Sequence, residues 1–180
     1  MKVIKRYFGE VLLIKNDIYK DSRGLFFESF NLKNFKKILG KKIDFVQDNI
    51  SISKQNVLRG LHYQIVKPQG KLIRVIKGEI IDVFVNIKKG SKYFGKHHKV
   101  ILNNKNNYLL WIPKGYAHGF KSLKNDSIVM YKTDEFYYPN YDRCLYFNDK
   151  KLSINWPKNS KITISSKDKL GKNFSEIETL

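Results

Sequence analysis

Short runs of apolar or alternating residues, each closed by a turn signal, recur through the middle of this chain and constrain its fold more than any other feature. Lys71–Ile76, Ile80–Ile87, Lys99–Leu102, Tyr108–Ile112 and Ser127–Lys132 are such runs. Lys77-Gly78, Lys89-Gly90-Ser91, the stretch from Asn103 to Asn107 and the one from Pro113 to Gly115 separate them. Strands spaced this closely predict an all-β sandwich or barrel of jelly-roll type and exclude a βαβ array. One helix is expected over Leu32–Leu39, opened by Asn31 as a cap and closed by Gly40, and a second short helical or irregular stretch near the C-terminus. The 180 residues show no repeat, low-complexity segment or linker, so 1–180 reads as one domain with room for a sizeable core.

Charge and cysteine count narrow the function classes. The chain carries 35 basic against 16 acidic residues, a net charge of +19. That excess invites a nucleic-acid reading, because phosphate contacts dominate non-specific binding. The lysines are spread evenly, however, as on a solvated surface, so nucleic acid is not the expected partner. Only five cations are arginine: Arg6, Arg23, Arg59, Arg74 and Arg143. Guanidinium forks suit bidentate phosphate binding, which makes each of them notable. A single cysteine, Cys144, rules out an internal disulfide framework and a Cys-rich metal site. The apolar run Val11–Ile14 is too short for a signal peptide or membrane helix, so a cytoplasmic protein without a membrane partner is expected.

The segment Gln47–Gln64 concentrates the chemistry. Gln47, Asn49, Ser51 and Ser53 alternate with Asp48, Ile50 and Ile52, so a strand there places four hydrogen-bonding side chains on one face. Leu58, Arg59, Gly60, Leu61 and His62 follow, an arginine and a histidine inside apolar sequence. An anionic substrate and a proton-transfer step would need such a pairing. Strict alternation puts Arg59 and His62 on opposite faces. A bulge at Gly60, or contributions to two sites across a dimer, would each reconcile them.

Eight separated motifs, in order, resemble the dTDP-4-dehydrorhamnose 3,5-epimerase family, metal-independent cupins of nucleotide-sugar metabolism. They are DSRGLFFESF (21–30), QDNISIS (47–53), NVLRGLHYQ (56–64), QGKLIRV (69–75), IPKGYAHGF (112–120), YKTDEFYYP (131–139), FNDKKLSINWP (147–157) and SSKD (165–168). The resemblance implies a cupin-type jelly roll and inversion of the two carbons flanking the C4 ketone of a nucleotide-linked 4-keto-6-deoxy sugar. It implies no metal and no cofactor. A C–H beside a carbonyl is acidic only through its enolate, so such a site needs a base, a cation or donor at the ketone oxygen, and an acid on the other face.

By this resemblance His62 is the base, and Asp168 orients it and stabilises its cation. Lys71 stands near the C4 oxygen and Tyr131 is the proton donor. Arg23 and Arg59 match the diphosphate-binding arginines. Glu28, Gln47 and Asn49 surround the nucleoside, and Tyr137 packs on the base. His118, Asp142 and Lys167 match further substrate-contacting positions. Read alone, His62 between Leu61 and Tyr63 fits a core histidine, and Lys71 or Asp168 an exposed charge. The resemblance also implies a homodimer that exchanges N-terminal strands and completes each pocket across its interface. Leu25-Phe26-Phe27 is a candidate for that interface.

The chain departs from the family pattern in places. Ser91-Lys92-Tyr93-Phe94-Gly95 stands for the usual Ser-x-Thr-Phe-Gly, Asn86 for an Asp, Asp142 for a Glu and Phe147 for a Trp. None touches the proton-transfer set. The principal reading is a 3,5-epimerase of dTDP-4-dehydro-6-deoxy-D-glucose. The alternatives are a C3-only or C5-only epimerase of a related nucleotide sugar, and a non-catalytic basic cupin that binds polyanions. A metal cupin would need His-x-His, and here His97 and His98 are adjacent and point apart on a strand.

Overall fold

The computed structural model describes residues 1–157 and 161–180. Its strands are β1 (Lys2–Tyr7), β2 (Val11–Lys15), β3 (Tyr19–Asp21), β4 (Gly24–Phe26), β5 (Gln47–Ser53), β6 (Val57–Gln64) and β7 (Lys71–Lys77). After these come β8 (Glu79–Asn86), β9 (His97–Asn103), β10 (Tyr108–Ile112), β11 (Tyr116–Ser122), β12 (Ser127–Thr133), β13 (Asp142–Cys144) and β14 (Thr163–Ile164). Two helices accompany them, α1 (Leu32–Leu39) and α2 (Ser166–Lys169). The runs expected to be strands are strands, to within a residue or two.

Two sheets stack. The first has the order β1-β2-β10-β7-β12-β5, the second β13-β6-β11-β8-β9, and neither closes on itself. Apart from β1-β2 and β8-β9, the neighbours are non-consecutive in the chain, which marks jelly-roll connectivity, in sandwich rather than barrel form. Between the sheets lies the main core. Val11, Leu13, Ile73, Val75, Leu110 and Val129 come from one side, and Ile80, Phe84, Val100, Leu102 and Phe120 from the other. Alternation along each strand sends these side chains inward and their neighbours outward.

Each outer face is covered differently. On the second sheet, Leu61, Tyr63, Val83 and Ala117 are roofed by Leu145, Leu152, Ile154, Trp156 and Phe174 from the C-terminal segment. On the first sheet, α1 lays Phe35 against Trp111, with ring centroids 5.5 Å apart. The helix has the expected bounds. Asn31 Oδ1 accepts from the Asn34 amide at 3.0 Å, and Gly40 closes it at φ 67, a left-handed geometry that glycine adopts without steric cost. The β5 end of that sheet is left uncovered, with Ile50 and Ile52 exposed.

Candidate active site

A cavity of about 620 Å³ opens between the sheets, with walls from β5, β7 and β12 on one side and β6 and β11 on the other. Its shape follows from two local events. On β5 the alternation turns Gln47, Asn49, Ser51 and Ser53 inward and leaves Asp48, Ile50 and Ile52 exposed. On β6 an extra residue enters the ladder. His62 pairs with His118 and Arg59 with Phe120, so three steps on β6 match two on β11. That bulge puts Arg59 and His62 on the same inner face, and both line the cavity. Gly60 is required there. Its φ is +115, and a Cβ would lie 2.6 Å from Gly119 Cα and 2.7 Å from the His118 carbonyl oxygen.

Asp168 arrives from far along the chain. β14 runs parallel to β6, pairing Thr163 with Val57, and delivers α2 to the cavity rim. Ser165 caps that turn by accepting from the Asp168 amide at 3.1 Å. The Asp168 carboxylate is buried with both oxygens engaged: His62 Nε2 lies 2.8 Å from Oδ1, and the Gly60 amide donates to Oδ2 at 3.0 Å. Burial alone would raise this carboxyl, but the hydrogen bond and charge of His62, with the Gly60 amide, outweigh it and hold it below its ordinary value. Because Nε2 faces Asp168, Nδ1 is the ring nitrogen left for chemistry.

Beside this pair stands a second. His118 Nε2 lies 2.8 Å from Asp82 Oδ2, and Asp82 is fully buried. Its Oδ1 has no partner among the described residues. Burial raises the Asp82 carboxyl despite the opposing pull of His118 and Lys71. Lys71, from the facing sheet, is buried and directs its ammonium toward the His62 carbonyl at 3.5 Å. Burial lowers it to about 8, against the support of Asp142 and Asp82. Tyr131 on β12 packs on the core beside Val129, as its spacing predicts. Burial raises its phenol, with Arg59 opposing, so it keeps its proton at neutral pH.

The other anticipated residues divide. Asn49, Arg59, Tyr137, Asp142 and Lys167 border the cavity. Arg59 Nε donates to Ser53 Oγ at 3.0 Å, the Tyr137 hydroxyl donates to Asp142 at 3.2 Å, and Lys167 forms an ion pair with the same carboxylate. Gln47 sits just outside, donating to Asn49 and accepting from the Tyr137 amide. Arg23 and Glu28 do not border the cavity of their own chain. Arg23 lies on the exposed β3–β4 hairpin paired with Asp21, and Glu28 accepts from Asn31. Sequence reasoning overlooked Asp82, and it took Cys144 only as an argument against disulfides and a Cys-rich metal site. An acidic residue inside the apolar run Ile80–Ile87 was the available signal for the first.

The family profile described as dTDP-4-dehydrorhamnose 3,5-epimerase matches residues 6–176. A protein of that name from Pseudomonas aeruginosa is 42% identical over 178 residues, covering 99% of this chain and 98% of the relative. One from Shigella flexneri is 44% identical over 179 residues, with the same coverage. The crystal structure of a dTDP-6-deoxy-D-glucose-3,5-epimerase from Legionella pneumophila, in complex with dTDP-4-keto-L-rhamnose, superimposes with a TM-score of 0.95. It is 41% identical, and the match covers 98% of this chain and 94% of that one.

Proposed function

This chain belongs to the dTDP-4-dehydrorhamnose 3,5-epimerase family, and it is an isomerase; we propose that it converts dTDP-4-dehydro-6-deoxy-D-glucose to dTDP-4-dehydro-L-rhamnose with His62 as base and Tyr131 as acid. The observation that carries the mechanism is the placement of these two groups on facing sheets of one cavity. In the first half-reaction His62 Nδ1 takes the proton from the carbon beside the ketone. The C–H electron pair moves into an enolate whose charge settles on the C4 oxygen. The Lys71 ammonium stabilises that oxygen, in a site where burial strengthens its field. Tyr131 then returns a proton from the opposite face, which inverts the carbon. His62 then gives its proton to solvent, the Tyr131 phenolate takes one back, and the same steps at the second carbon complete the reaction. Asp168 holds the His62 ring so that Nδ1 stays unprotonated until needed.

Arg59 suits the diphosphate, and Tyr137 with Asn49 the nucleoside. Arg23 and Glu28 fit this scheme through a homodimer in which the partner subunit's hairpin reaches the open side of the cavity. Tyr19, Leu25 and Phe26 on that hairpin, with Ile50 and Ile52 on the β5 edge, expose apolar surface that association would bury. Light scattering at micromolar concentration should give a dimer, loosened slightly at low ionic strength by the +19 charge on each chain. A fully active monomer would refute both the dimer and the shared pocket. No helix among the described residues is long and apolar enough to cross a membrane. A nucleotide-sugar substrate and a lone cysteine fit a cytoplasmic location.

Incubation with dTDP-4-keto-6-deoxyglucose in D2O, followed by NMR, tests the reaction. Deuterium at both C3 and C5 is the expected result. Exchange at one carbon would mean a mono-epimerase, and none a binding protein.

A further inference from the structure

The β6–β13 ladder pairs Cys144 directly with His62, so the thiol and the imidazole are cross-strand neighbours. Asp168 enters from α2 against both. Its backbone carbonyl accepts from the Cys144 thiol at 3.9 Å while its side chain holds the His62 ring. One sulfur, one ring nitrogen and one carboxylate oxygen thereby lie within 4.8 Å of one another. We propose that Cys144, His62 and Asp168 form an inhibitory site for a thiophilic divalent cation of the Zn²⁺ class.

The donor set suits such an ion. Zn²⁺ takes sulfur, imidazole and carboxylate ligands tetrahedrally, at about 2.0–2.3 Å. Modest closure of the three atoms around a centre supplies three positions. A fourth would come from water or substrate, since His62 and Asp168 border the cavity and the His62 side chain is one-third exposed (33%). Thiolate favours Zn²⁺ over the hard cations Mg²⁺ and Ca²⁺. Asp142, the next acidic group of the cavity, is occupied by Lys167, so the donors are these three.

Binding has a definite proton balance. The thiol releases its proton to solvent and becomes a metal ligand. The ion takes the Nε2 lone pair, and the imidazole proton moves from Nε2 to Nδ1. Asp168 exchanges its hydrogen bond from His62 for a bond to the ion. With Nδ1 protonated, the base has no free lone pair and turnover stops. This inhibition rests on His62 being the base, whereas ion binding does not.

Two measurements on the whole protein separate the points. Co²⁺ added to the wild type should give a thiolate-to-cobalt charge-transfer band. Added Zn²⁺ should inhibit epimerisation, and EDTA should restore it. Cys144→Ser should keep the metal-free rate, lose the cobalt band, and raise the Zn²⁺ concentration for half inhibition at least roughly tenfold. Loss of outer partners alone costs about that much affinity. Cys144→Ala serves as a second variant with no oxygen donor. Absence of the band, or equal Zn²⁺ sensitivity in the variants, overturns the site. A band that vanishes in the variants, with no loss of activity in the wild type, overturns the base assignment of His62 instead.

Discussion

His62 and His118 are register partners across β6 and β11, and each lies 2.8 Å from a carboxylate, Asp168 and Asp82 respectively, yet the surroundings of the two pairs differ. Asp168 has both oxygens occupied and a carboxyl held below its ordinary value. Asp82 is fully buried, has one oxygen without a partner among the described residues, and is raised. The His62 side chain is one-third exposed and the His118 side chain is 9% exposed. A base must return its proton to solvent in each cycle, and only the first pair has the access to do so. The same separation therefore suits two roles: in the proposed mechanism the His62 pair would move protons, and the His118 pair would be a fixed polar wall that tunes Lys71.

The largest effect expected from that contrast is in His62→Ala. It should lower kcat by roughly 10³-fold, within the range of a lost general base, while His118→Ala retains far more activity. Equal losses would erase the distinction. Asp168→Asn should cost roughly 10²-fold in kcat with KM little changed, because the ring loses its orienting carboxylate while the cavity keeps its shape. A pure KM effect would instead place Asp168 in substrate binding.

Gly60→Ala probes what brings the first pair together. A Cβ there collides with β11 backbone at a φ unsuited to alanine, so the protein should lose about 2 kcal/mol or more of stability in denaturant titration. An unchanged midpoint would mean that the bulge tolerates a side chain. The smallest effect concerns pH. Lys71 keeps its proton below about 8, so activity should fall as pH rises through that value. Asp82 supports the ammonium, and Asp82→Asn should move this alkaline limb to lower pH by less than one unit. Movement upward would contradict the coupling.

Much of this was written locally in the sequence, and what was not shares one cause. The α1 helix could be read from Asn31 and Gly40, and the inward face of β5 from its alternation, because both depend on neighbours in the chain. The pairing of His62 with Asp168 depends on β14 lying along β6, a contact across more than a hundred residues with no local signature. Only the family motifs made it legible. The bulge was one of two open choices, because alternation says that a slip is needed without saying where the ladder takes it up. Asp82 went unnoticed because a lone acid in a buried strand has no visible partner until β8 and β11 are in register. The remoteness of Arg23 from its own cavity likewise follows from how the β3–β4 hairpin leaves both sheets.

The proposed mechanism turns on one base serving two carbons. Solvent exchange at C3 and C5 of dTDP-4-keto-6-deoxyglucose, followed by NMR in D2O with wild type, His62→Ala and His118→Ala side by side, tests that claim most directly. One shared base requires deuterium at both carbons with the wild type, the uncatalysed rate at both with His62→Ala, and continued exchange at both with His118→Ala. Catalysed exchange at either carbon in His62→Ala, or its selective loss at one carbon in His118→Ala, would show that the two histidines divide the work and would contradict it.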